Sequence, residues 1–291
     1  MQFEFATAGR IVFGPGKLKD IGALAGAFGR RALVVTGAHP ERADGLRELL
    51  GQAGVRSKDL SIDHEPTTED LRRGVRLAQG DPELTLTVPP VITASTGLDA
   101  LTQLIEPFVS ARASPITDAL CREGLRRVAR SLRRAHERGD DRGAREDMSL
   151  AALFSGLAMA NAGLGSVHGF AGVIGGMVSG PHGAVCAALL PYAIRINVRA
   201  LGDRAPRNVA LDKYREVGQL LTGKQAAGAD EAVSWVADVC AALRVPRLAS
   251  YGLSPAQLPE LLDKSAVASS MKANPIALTR VEMQEIVVAA M

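Results

Sequence analysis

Four side chains in the middle of this chain have the types that hold metal ions. Asp99 and Gln103 stand four apart in a helical pattern, Thr96-Gly97-Leu98-Asp99-Ala100-Leu101-Thr102-Gln103. That spacing puts both on one helix face. His168 follows Gly165-Ser166-Val167, and His182 stands in a Pro181-His182-Gly183 corner that opens the next helix. Carboxylate oxygen and neutral imidazole nitrogen are donors that first-row divalent cations accept, and three protein ligands leave a position for water or substrate. Taken singly, each histidine also reads as a core imidazole bonded to a backbone carbonyl. Spacing alone leaves both readings open.

The elements that must position these residues come in two kinds. From residue 89 onward the pattern is helical. Residues 91–109 form the helix bearing Asp99 and Gln103, and Ser114-Pro115 opens the next, with Leu125, Val128, Ala129 and Leu132 beneath an arginine-rich face. Buried helices follow over 149–161 and 184–197, and helices over 212–221, 231–243, 255–265 and 281–289 complete a bundle. Earlier in the chain the pattern is βαβα: helix 18–28, a buried parallel strand 32–36, helix 41–51, strand 58–62, and helix 69–79 with Thr68 as its cap. Residues 3–13 alternate as an edge strand or hairpin that Gly14-Pro15-Gly16 ends. The expected fold is an α/β remnant over residues 1–80, a truncated Rossmann-like parallel sheet, followed by an all-helical domain over 81–291. So small a sheet cannot cover both its faces. An exposed apolar patch is therefore expected beside Val34 and Val35, met by partner chains, as in a homo-oligomer, or by disorder.

Composition narrows the function classes. The 291 residues are 47% hydrophobic and 22% charged, with a formal net charge of +3. Those are the values of an ordinary globular protein, and a nucleic-acid domain would concentrate its charge more. The arginine face is interspersed with Glu123, Glu137, Asp140, Asp141, Glu146 and Asp147, as a solvated surface would be. Cys121, Cys186 and Cys240 are widely spaced, form no CxxC, and read as core residues in a reducing cytoplasm. The N-terminus lacks a basic stretch followed by an apolar run, so no signal peptide is expected. Residues 149–164 are the most apolar stretch, but Gly156, Asn161 and Gly163 interrupt it, which suits a buried helix better than a membrane span. The expected partner is a small molecule, with no nucleic acid and no membrane.

Several short stretches carry a family resemblance. They are Val88-Pro89-Pro90, Thr96 through Thr102, Asn161-Ala-Gly-Leu-Gly-Ser-Val-His168-Gly, Gly180-Pro-His182-Gly, and Leu189-Leu-Pro-Tyr-Ala-Ile-Arg-Ile-Asn197. Together they resemble the iron-containing (group III) alcohol dehydrogenases, a family that includes maleylacetate reductases and is related to glycerol dehydrogenase. The match is dense from Asp81 to Asn197 and continues through Arg247–Gly252 and Ala273-Asn274-Pro275. The resemblance implies a dehydroquinate synthase/iron-alcohol-dehydrogenase-like fold and a metal-dependent NAD(P) oxidoreductase of alcohols or aldehydes. In it a divalent cation polarises the substrate oxygen while hydride passes to or from the nicotinamide. By the same resemblance, Asp99, His168 and His182 match three family metal ligands, and Gln103 occupies the fourth position, where many members have His. Gly172 stands where many place a further histidine. Fe2+ and Zn2+ both suit such donors. Thr36-Gly37 and the Glu65-Pro66-Thr67 segment are implied to lie near the adenosine half of the NAD or NADP cofactor. Because Gly37 replaces a carboxylate for the ribose hydroxyls, no preference for NAD is expected.

One part of the family pattern is missing. Members carry a Gly-Gly-Gly-Ser turn followed by Asp, and later a Thr-Thr-x-Gly-Thr-Gly-Ser-Glu loop; here Gln79-Gly80 runs directly into Asp81-Pro82. A long internal segment is thus expected to be absent near Gly80/Asp81. A pyrophosphate needs close backbone N–H groups at a helix N-terminus, and no other glycine cluster follows a strand to supply them. The alternative reading is therefore a catalytically impaired relative that keeps a metal-binding helical body. His39 and His136 match no family role, and His64, a loop residue just before Glu65-Pro66, has only its proximity to the cofactor segment to recommend it.

Overall fold

A computed structural model of the chain describes residues 3–7, 11–37, 39–61, 85–86 and 88–291. Two compact units emerge, one of Met1–Thr7 with Val88–Met291, the other of Ala8–Thr87.

The smaller unit contains α1 (Ile21–Phe28), β1 (Arg31–Thr36), α2 (Asp44–Gln52) and β2 (Arg56–Ser61). Single 3₁₀ turns, Lys17–Asp20 and Pro40–Ala43, lead into the two helices. The strands run parallel, in a register that sets Arg31 opposite Arg56 and Thr36 opposite Ser61. A helix must cross over between parallel neighbours, and α2 does so. Two strands are all the sheet has among the described residues. The expected apolar patch does not form at Val34, which is only 5% exposed. It joins Ile21, Leu50 and Val55 in a small core, with Leu18, Ala25 and Leu46 packed around it. Helices α1 and α2 therefore cover the Val34 face without help. The Val35 side chain, helix 69–79 and the Gly80/Asp81 junction lie outside the described residues. Residues 3–7 and 11–13 have no regular structure, against the expected strand. The Ala6 N–H instead donates to Asn161 Oδ1 at 2.7 Å, and the Asn161 amide returns a bond to the Ala6 carbonyl.

The larger unit is helical: α3 (Pro90–Val109), α4 (Pro115–Glu137), α5 (Arg142–Ala162), α6 (Ser166–Ile174), α7 (His182–Arg204), α8 (Ala210–Thr222), α9 (Ala229–Ala242), α10 (Leu258–Ala266) and α11 (Arg280–Ala290). Its centre is α3, whose Leu98, Leu101, Leu104, Ile105 and Phe108 are all fully enclosed. Each such side chain contributes about 1.5–3 kcal/mol of burial. The helix starts are written locally. Ser114 and Thr117 cap α4 reciprocally, with Pro115 at its first position. Asp141 caps α5 through the Ala144 N–H at 3.0 Å, and that bond, with Arg134, lowers its pKa. Asp147 of α5 takes bonds from Arg127, Arg130 and Ser131 and locks α5 to α4, so much of the arginine face is answered by carboxylates.

Helix α6 was not separately legible in the sequence. Gly163 adopts φ +70°, ends α5, and the chain turns by 99° into α6. With ψ at −171° this is an extended conformation at positive φ, which glycine alone adopts without strain. Helix α7 is long and apolar enough to cross a membrane by length and composition, yet 72% of that window is buried among other helices. It packs against α3 inside the bundle, as α4 and α5 also do. The contact between α3 and α7 is close: a Cβ on Gly183 would lie 2.1 Å from the Ser95 carbonyl oxygen. We expect Gly183→Ala to force α3 and α7 apart. A denaturant melt should show a loss of about 1–3 kcal/mol, the usual cost of overpacking. A midpoint unchanged from the wild type would contradict this.

Candidate metal centre

The site forms where α3, α6 and α7 meet. Helix α3 presents Asp99, Gln103 and Glu106 at i, i+4 and i+7, a single stripe. Helix α6 presents His168 from its first turn. Helix α7 presents His182, its first residue, and Cys186 one turn later, on the same face.

These side chains converge. His168 Nε2 lies 3.4 Å from Asp99 Oδ1, and His182 Nε2 lies 3.8 Å from the same oxygen. Cys186 Sγ is 3.5 Å from His182 Nε2 and 3.8 Å from His168 Nε2. One donor atom from each of Asp99, His168, His182 and Cys186 lies within 4.8 Å of every other. The two imidazole centroids are 5.4 Å apart.

The outer contacts aim this set inward. Glu106 Oε2 lies 2.6 Å from His168 Nδ1. A carboxylate only accepts, so Nδ1 carries the proton and Nε2 faces the cluster. Glu106 Oε1 accepts the Val167 N–H at 2.7 Å, while Asn274 Oδ1 accepts the Ser166 N–H at 3.1 Å. These two acceptors cap α6, whose own Gly165 offers no side chain to do so, and a carboxylate suits the positive end of the helix dipole. Gln103 donates from Nε2 to Asp99 Oδ2 at 2.7 Å and accepts from Ser155 Oγ at 3.1 Å. Both ends of its amide are thus engaged. The carboxylate of Asp99 is held by one oxygen, and Oδ1 is left buried with no hydrogen-bond partner.

An orphaned carboxylate oxygen facing an imidazole lone pair repels unless something positive lies between them. A proton serves on its own. Burial opposes charge on His168, but the Cys186 sulfur and the Asp99 and Glu106 carboxylates outweigh it and hold its pKa well above 6.5. Burial pushes the Cys186 thiol up to about 11, against the pull of His168. A divalent cation answers the same need, and the donors present fit one.

The other expected residues are elsewhere. Thr36 ends β1 in the smaller unit and Gly37 follows it; Thr36 Oγ1 is buried without a hydrogen-bond partner. Glu65 and Thr67 lie outside the described residues, as does His64. His39 is exposed and contacts Glu41. Sequence reasoning missed two residues of the site. Cys186 was detectable as His182 plus four, and Glu106 as Asp99 plus seven.

Residues 93–291 match the Fe-containing alcohol dehydrogenase family, C-terminal. The chain belongs to that family. A 1,3-propanediol dehydrogenase of Klebsiella pneumoniae is 34% identical over 197 residues, which is 67% of this chain and 50% of that protein. Alcohol dehydrogenase 4 of Schizosaccharomyces pombe is 33% identical over 216 residues, 74% of this chain and 49% of that one. This member of the family thus spans about half the length of the curated relatives it matches. Among solved structures, a 1,3-propanediol oxidoreductase has a TM-score of 0.88 at 21% identity, with 100% of both chains covered. A sulfoacetaldehyde reductase from Bifidobacterium kashiwanohense, in complex with NAD+, has a TM-score of 0.80 at 20% identity, with 100% of this chain and 99% of that one covered. At these identities the likeness concerns the fold: an iron-containing alcohol dehydrogenase fold with a shortened α/β part.

Proposed function

We propose that the chain is a metal-dependent NAD(P) oxidoreductase acting on a small alcohol or aldehyde. The observation that carries this reading is the buried, partnerless Asp99 Oδ1 facing two imidazole Nε2 atoms, in a chain of this family. Asp99, His168 and His182 would hold the cation. Bound there, it supplies Lewis acidity to an alcohol or carbonyl oxygen. Gln103 serves to orient Asp99 rather than to ligate, because Ser155 and Asp99 already occupy its amide. Glu106 sets the His168 tautomer. His168 is enclosed, while Asp99 and His182 keep part of their side chains open to solvent, 22% and 33%, which leaves a side from which a substrate can approach. Thr36 and Gly37, at the carboxyl end of a parallel strand, stand where open α/β sheets take nucleotides. Three free cysteines suit a cytoplasmic protein. Arg127, Arg130 and Arg134 of α4 are paired with Asp147 and Asp141, which supports reading this face as a solvated surface.

A second reading, a relative that binds metal without turnover, is favoured by one observation, the missing glycine-rich phosphate turn. The two are separated by measuring NAD+ and NADP+ binding calorimetrically, alongside nicotinamide-linked oxidation of short alcohols with Fe2+ or Zn2+ added. Cofactor binding with metal-dependent turnover is the expected result. Metal binding without cofactor binding would overturn it in favour of the second reading.

A further inference from the structure

We infer that Cys186 is a fourth protein donor to the metal, a role that the family resemblance gave to position 103. The inference rests on the metal-centre reading above and adds the identity of one ligand. Four observations carry it. First, the distances suit a tetrahedron. Bonds of about 2.0–2.1 Å to nitrogen or oxygen and about 2.3 Å to sulfur give donor–donor edges of about 3.3–3.7 Å. Four of the six separations among these atoms run from 3.4 to 3.8 Å, and all six lie within 4.8 Å, so the donors need only draw in slightly around an ion. Second, Cys186 Sγ has the two imidazole Nε2 atoms as its hydrogen-bonding neighbours. Cys240 shows the ordinary alternative: its thiol donates to the Ala187 carbonyl at 3.5 Å. Third, Asp99 Oδ1 is buried without a hydrogen-bond partner and belongs to the same four-donor cluster, a need that a cation held there would meet. Fourth, the competing donor is engaged, since Gln103 is tied to Asp99 and Ser155.

The chemistry follows from the sulfur. On binding, the thiol gives up its proton to solvent and the thiolate lone pair is donated to the cation. Thiolate is a soft donor and tilts the site from ferrous iron toward zinc or cobalt(II). A tetrahedral set filled by protein also leaves no vacant position, so turnover then requires one donor to yield it.

Cobalt(II) added to the full apo chain tests the assignment without any activity. The expected spectrum has visible d–d bands and a near-ultraviolet sulfur-to-cobalt charge-transfer band. Cys186→Ser should keep the first and lose the second. If that variant does not fold, a Cys121→Ala/Cys240→Ser chain, with Cys186 as its one cysteine, should retain the charge-transfer band. Visible bands without charge transfer in the wild type would overturn the Cys186 assignment and leave the metal centre standing. Absence of any cobalt spectrum would overturn both.

Discussion

Asp99→Ala will abolish stoichiometric binding of divalent metal. Dissociation constants for Zn2+ should rise well beyond 100-fold, since about 100-fold is already the upper figure for losing an outer-shell partner. The reason lies in what Asp99 contributes. It is the carboxylate whose Oδ1 stands within 3.8 Å of both imidazole Nε2 atoms, and it brings the one fixed negative charge that needs no deprotonation on binding. Asp99→Asn is the sharper control. It keeps the volume and can still accept from Gln103, but it lacks the charge, so its affinity should fall between wild type and alanine. The fold should survive both changes, because Oδ1 has no hydrogen-bond partner, Asp99→Asn keeps an oxygen for Gln103, and Asp99→Ala loses only the bond from Gln103 Nε2. Metal content after dialysis, measured beside a denaturant melt, separates affinity from stability. Wild-type metal retention in Asp99→Ala would remove α3 from the site and with it the proposed function.

How far the sequence carries one toward this site can be traced residue by residue. Asp99, His168 and His182 are legible as types and by context, and the helices bearing Asp99 and His182 follow from apolar periodicity and from Pro or Ser at their starts. Helix α6 is another matter. Its stretch is glycine-rich and has no local cap, so its N-terminus depends on Glu106, about 60 positions away, and on Asn274, more than 100 away. No local pattern encodes that. Gln103 is similar: the choice between ligating and orienting is made by Ser155, on another helix. Cys186 is buried in the core as its apolar setting implies, but its place beside the imidazoles is illegible for a different reason. A buried thiol among apolar residues looks the same in sequence whether its sulfur meets a methyl group or an imidazole, and only the i, i+4 relation to His182 carries the distinction. In the smaller unit, alternation in residues 3–13 suggested a strand. Alternation alone cannot supply a strand with a neighbour, and Ala6 finds Asn161 instead.

Glu106→Ala should be the most destabilising single change at the site, although Glu106 touches no metal donor atom except through His168. Two donors converge on its carboxylate, the Val167 N–H at 2.7 Å and His168 Nδ1 at 2.6 Å. Both are buried, and Glu106 itself is 6% exposed. Each bond to a charged acceptor is worth about 1.5–3 kcal/mol, and removing the acceptor strands both donors. A loss of about 3–5 kcal/mol is expected, comparable to breaking a buried ion pair. Glu106→Gln should recover only part of it. A carboxamide has one accepting oxygen, so its NH2 must face one of the two donors, and a donor facing a donor repels. The same substitution should weaken zinc binding by about 10–100-fold, because His168 loses the bond that fixes its tautomer and ring plane. These two effects have different signatures. The first appears as a lower denaturation midpoint in apo protein, the second as a rightward shift of a zinc titration performed where the variant is folded. If Glu106→Gln matched the wild type in both, the α6 cap would have to come from elsewhere, and His168 would be aimed by packing alone.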